Sequence, residues 1–95
     1  MRLTNKEQNI IQQTILNIFG NSKIYLFGSR VDDNKKGGDI DLLIVPQNRE
    51  NITYKKHLSK SKLQYSLQKP IDLIVFNKGE SLIEKEGLKG VLLNG

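Results

Sequence analysis

The segment Asp39-Ile40-Asp41-Leu42-Leu43-Ile44-Val45 constrains this chain more than any other, because it sets two carboxylates against a run that only a buried strand can use. Successive side chains of a strand point to opposite faces, so Asp39 and Asp41 share one face and Ile40 and Leu42 the other. From Leu42 to Val45 the run is continuously apolar, which predicts a strand covered on both faces. Two carboxylates held so close repel each other unless a cation sits between them. Hard divalent ions with oxygen ligands, Mg2+ above all, are the natural partners. Upstream, Leu26-Phe27-Gly28-Ser29-Arg30 reads as a strand running into a Gly-Ser turn, with nine residues between Ser29 and Asp39. Such a turn offers backbone N–H groups and a hydroxyl, the donors a phosphate chain takes. The combination points to a metal-dependent nucleotide site.

The remaining elements follow from local signals. Thr4 with Glu7 makes a capping box, and Ile10, Ile11, Thr14, Ile15, Ile18 and Phe19 form one apolar stripe of a helix that Gly20 ends. Residues 23–27 and 39–45 are strands, the second closed by Pro46. Residues 51–68 read as a Lys-, Ser- and Gln-rich helix whose apolar positions, Leu58, Leu63 and Leu67, are loosely spaced. Lys69-Pro70 breaks it, residues 71–76 form a third strand beginning around Asp72, and Ser81 with Glu84 caps a short helix ending near Gly87. Residues 90–93 add a small edge strand. This order predicts an α+β fold, a small mixed β-sheet with helices packed on one side, in one domain spanning residues 1–95.

Ninety-five residues bury only about 60–65% of their unfolded surface, so the core is expected to be thin. The chain has no cysteine, which excludes disulfides, thiolate metal sites and a Cys nucleophile. It shows no signal-like N-terminus and no apolar run of about 18 residues, so a cytoplasmic protein with no membrane span is expected. The net charge of +5 invites a nucleic-acid reading, but the lysines are spread along the chain. Their one concentration, at Lys55, Lys56, His57, Lys60 and Lys62, is read as a solvated helix face, and His57 as an ordinary surface residue. The stretch Asp32-Asp33-Asn34-Lys35-Lys36-Gly37 imitates the opening of an EF-hand loop. That reading fails because Lys36 and Leu43 stand where oxygen ligands are required.

Gly28-Ser29, nine intervening residues, then Asp39-Ile40-Asp41 and a later strand-borne Asp72, resembles the DNA polymerase beta-type nucleotidyltransferases. Among these the chain is most similar to the bacterial minimal nucleotidyltransferases, from about Tyr25 to the C-terminus. The resemblance implies the polymerase beta-type nucleotidyltransferase fold. It implies that Asp39, Asp41 and Asp72 are catalytic and hold two Mg2+ ions, and that Gly28, Ser29 and Arg30 bind the phosphates of ATP or another nucleoside triphosphate. The stretch of residues 31–38 departs from the pattern of many relatives, which carry a second Arg and a Gly shortly after the Ser. The implied reaction transfers a nucleoside monophosphate, AMP from ATP, onto a hydroxyl. The implied partner is a small helical protein of the HEPN type, with this chain as the antitoxin, and a homo-oligomer is compatible with the pattern. Two alternatives stay open: a non-catalytic module that neutralises its partner by occlusion, and a nucleic-acid-binding domain using Lys55 to Lys62.

Overall fold

The computed structural model describes residues 3–28, 39–77 and 81–94. Helix α1 spans Asn5–Phe19, strand β1 Ser22–Phe27, strand β2 Ile40–Pro46, helix α2 Ile52–Leu67, strand β3 Ile71–Val75, helix α3 Leu82–Leu88 and strand β4 Val91–Leu92. The strands form a mixed sheet in the order β3-β2-β1-β4. β1 runs antiparallel to β2 and to β4, whereas β2 and β3 are parallel, with α2 as the crossover between them. The small mixed sheet anticipated from the order of elements is therefore present.

Both capping boxes form. The Glu7 amide donates to Thr4 Oγ1 at 3.0 Å and the Thr4 amide to Glu7 Oε1 at 3.1 Å. Gly20 ends α1 at a φ of +79°, a backbone angle that favours a residue with no Cβ. α1 buries Ile11, Ile15 and Phe19 against the face of the sheet that carries Ile24, Leu26, Ile40, Leu42, Ile44, Ile71 and Leu73. Leu63 and Leu67 of α2 join the same core. Leu43 points to the opposite face and is equally inaccessible, because α3 closes over it at Gly87. A Cβ at Gly87 would stand 2.8 Å from the Leu43 side chain. The apolar run of β2 is covered on both faces, as its sequence predicts.

α2 departs from its sequence reading. Leu58 lies half-exposed, and Ser59 takes the buried position one turn before Leu63. The reason is periodic: residues 59, 63 and 67 repeat at i, i+4 and i+8 on one helix face, and Leu58 falls off it. Ser59 has no solvent exposure, and its Oγ has no hydrogen-bond partner among the described residues. A buried hydroxyl left unpaired costs about 1–3 kcal/mol. Ser59→Ala is expected to stabilise the protein by about 1 kcal/mol, read as a higher urea midpoint at unchanged slope.

One ion pair ties α1 to the segment that leads into β3. Lys69 Nζ donates to Glu7 Oε2 at 2.7 Å, with the Glu7 side chain 15% exposed. Burial alone would push the Glu7 carboxyl up, but the Lys69 hydrogen bond and the Thr4 amide and hydroxyl outweigh it and hold the carboxyl below its ordinary value. A depressed carboxyl stabilises above its unfolded pKa and loses that contribution as pH falls through the folded value. Glu7→Gln should therefore cost about 1 kcal/mol at neutral pH. The gap from wild type should close in urea melts taken below about pH 4.

Candidate functional site

Three strand ends meet at one end of the sheet. β1 finishes at Phe27, whose register partner on β2 is Asp41, and Asp41 is in turn aligned with Asp72 on β3. Residues directly opposite in adjacent strands share a face, so Phe27, Asp41 and Asp72 lie on the side away from α1 and α2. The Ile40 amide donates to the Pro70 carbonyl at 3.0 Å, which fixes the start of β2 against the start of β3. β2 begins at Ile40, and Asp39 precedes it as an exposed residue instead of opening the strand.

The parallel register sets two carboxyl groups side by side, Asp41 half-buried and Asp72 exposed. Burial first, then the like charge of Asp72 and the hydrogen bond to it, raises the Asp41 carboxyl above its ordinary value, with a smaller contribution from the charge of Asp39. Gly28, at a φ of +76°, passes so close that a Cβ there would lie 2.2 Å from Asp41 Oδ2. Ser29, Arg30 and the segment 31–38, with the EF-hand-like stretch, lie outside the described residues.

The donor set fits a hard divalent cation: oxygen-only, two carboxylates on paired register positions, and mutually repelling without a positive charge between them. Among the described residues no group of three or more Asp, Glu, His or Cys side chains closes into a cage. Mg2+ suits such a site, since it keeps several waters and takes one or two carboxylates plus substrate phosphates.

Supporting contacts came to light that the sequence reading did not single out. A Cβ at Gly90 would stand 2.2 Å from the Leu26 carbonyl oxygen, so β4 is wedged against β1 directly behind Phe27 and Gly28. Glu84 does more than cap α3. Its carboxylate accepts from Ser81 Oγ at 2.8 Å and from the Asn77 amide, which fixes the chain just past β3. A Lys-Gly-Val step and a capping box were the visible signals, and neither reveals the distant contact. A cleft of about 510 Å³, lined among others by Gln12, Leu16, Lys23 and Pro46, lies at the other end of the sheet and takes in none of these residues. No helix among the described residues is long and apolar enough to cross a membrane.

The family described as polymerase beta nucleotidyltransferase matches residues 6–94. A comparison with curated proteins found no match. Among solved structures, the chain is similar to a tri-AMPylated Shewanella oneidensis HEPN toxin in complex with MNT antitoxin, at 21% identity and a TM-score of 0.75, over 98% of this chain and 73% of the other. It is similar to a toxin–antitoxin with AMP-PNP at 22% identity and 0.76, covering 93% and 73%. It is also similar to the toxin–antitoxin MntA-HepT at 20% identity and 0.73, covering 97% and 73%. At these identities the likeness is one of fold.

Proposed function

The chain belongs to the polymerase beta nucleotidyltransferase family, and from that premise we propose that it transfers a nucleoside monophosphate, AMP from ATP, onto a hydroxyl of a helical HEPN-type partner protein, as an antitoxin. The observation that carries this reading is the pairing of Asp41 with Asp72, one residue inside neighbouring parallel strands and against a glycine that has no room for a side chain. The solved relatives point the same way, since one contains an AMPylated HEPN toxin and another AMP-PNP.

In this mechanism Asp39, Asp41 and Asp72 would hold two Mg2+ ions, which would supply charge neutralisation at the phosphates and a lowered pKa for the attacking hydroxyl. Gly28 leaves room for the Asp41 carboxylate, which stands where a Cβ would lie. Ser29 donates its hydroxyl and backbone amide to the outer phosphates, and Arg30 pairs with the same oxygens through its guanidinium. The acceptor oxygen bonds to the α-phosphorus, the bond to pyrophosphate breaks, and the hydroxyl proton passes to Asp72, the exposed member of the pair. Most of the acceleration comes from positioning and from charge compensation, as in phosphoryl transfer generally.

The test uses the Asp39→Asn, Asp41→Asn double variant in cells carrying the partner and in vitro with α-labelled ATP. Loss of label transfer together with loss of neutralisation is the expected result. Neutralisation that persists without label transfer would replace this reading with occlusion.

A further inference from the structure

The outward face of α2 has a use that the nucleotide site does not call on. With about 100° per residue, Ser59, Leu63 and Leu67 define the buried line, and Tyr54, Leu58, Ser61 and Tyr65 define the line opposite. Tyr54 is 68% and Tyr65 80% exposed, so two of the three tyrosines of the chain stand in solvent on one crest. The crest spacing is i, i+4, i+7 and i+11, the a/d seam that one helix presents to another. In that register Lys55 and Lys62 both fall on the same flank, at the positions that choose a partner by charge. Between Glu50 and Asp72 the sequence holds five lysines and no acidic residue, and one of the five, Lys69, is already taken by Glu7.

We infer that this crest docks a helix of a second protein, one with an apolar stripe bordered by carboxylates. Charge argues against a second copy of this chain, because its α2 holds no acidic residue to meet Lys55 and Lys62. Spacing argues against single-stranded nucleic acid. The two tyrosines are about 16 Å apart along the axis, and stacking of successive bases needs a closer series of rings. Tyrosine suits the seam, since it brings a large rigid surface and a polar tip to a contact that is wet when the partner leaves. A seam of three turns makes a small interface and a reversible complex.

The surface is independent of nucleotide transfer, and its test uses neither nucleotide nor metal. The probes are two fluorescent, hydrocarbon-stapled three-heptad helices with leucine at a and d, one flanked by glutamate and the other by lysine. The wild-type protein should bind the glutamate-flanked helix saturably. Tyr54→Ala with Tyr65→Ala should weaken it about tenfold or more, whereas Tyr54→Phe with Tyr65→Phe should retain it. Lys55→Glu with Lys62→Glu should lose the glutamate-flanked helix and gain the lysine-flanked one. Circular dichroism checks that these substitutions leave the fold intact. Absence of saturable binding, indifference to the tyrosine-to-alanine pair, or tighter binding of a single-stranded oligouridine at the same salt each overturns the inference.

Discussion

Asp41→Asn should raise the melting temperature of the metal-free protein at neutral pH while reducing AMP transfer by about 10³-fold or more. The two effects share one cause. Asp41 ionises against burial, against the neighbouring Asp72 and against the charge of Asp39, so its folded pKa lies above the unfolded one. A carboxyl raised in this way contributes stability below its unfolded pKa and loses that contribution as pH rises through the folded value. The wild-type chain is thus penalised at pH 7, and the amide is not. Because the group is half-exposed, the gain should be modest, about 2–4 °C by differential scanning fluorimetry in chelator. It should shrink as pH falls toward 4 and below, where the wild-type carboxyl takes up its proton. Added Mg2+ should stabilise the wild type and leave the variant nearly unmoved. A melting temperature lowered by the substitution at every pH would contradict the account.

Gly28→Ala should be the more damaging glycine substitution, and Gly20→Ala is its natural control. Both glycines adopt a φ near +80°, where a Cβ costs about 1 kcal/mol of backbone strain. They differ in what the added carbon meets. At Gly20 nothing lies within 4 Å, whereas at Gly28 the carbon arrives 2.2 Å from Asp41 Oδ2. Gly20→Ala should therefore cost stability and leave transfer unchanged. Gly28→Ala should cost similar stability but also displace the Asp41 carboxylate, for about 10²-fold in rate, since misplacement by about 1 Å carries a penalty of that size. Equal activity of the two variants would show that the closeness of Gly28 to Asp41 has no catalytic consequence.

The parts of this fold legible in the sequence are those set by local chemistry. The Thr4–Glu7 and Ser81–Glu84 boxes, the isoleucine stripe of α1 and the doubly covered run of β2 all declare themselves within a few residues. α2 was legible as a helix and obscure in its facing, because a serine holds a core position that composition assigns to leucine. The pairing of Asp41 with Asp72 depends on a parallel register set through a sixteen-residue helix, which no short-range pattern encodes. A likeness of spacing could nominate those residues but could not say that Asp39 would stand exposed ahead of the strand. The same holds for Gly90, whose closeness to the Leu26 carbonyl joins chain segments more than sixty residues apart.

Strand β2 lies between β1 and β3, and its Leu42, Leu43 and Ile44 are wholly inaccessible to solvent. Segments of that kind exchange their amide hydrogens only when the whole molecule opens, whereas short edge elements such as α3 and β4 breathe at far lower cost. Asp41 is the residue immediately before this slowest-opening stretch. Asp41 therefore has no loosened, half-folded state of its own, whereas its partner Asp72 rides on β3, the strand at the sheet edge. Control over such a site falls to what reaches its open face, and to how long a partner stays there.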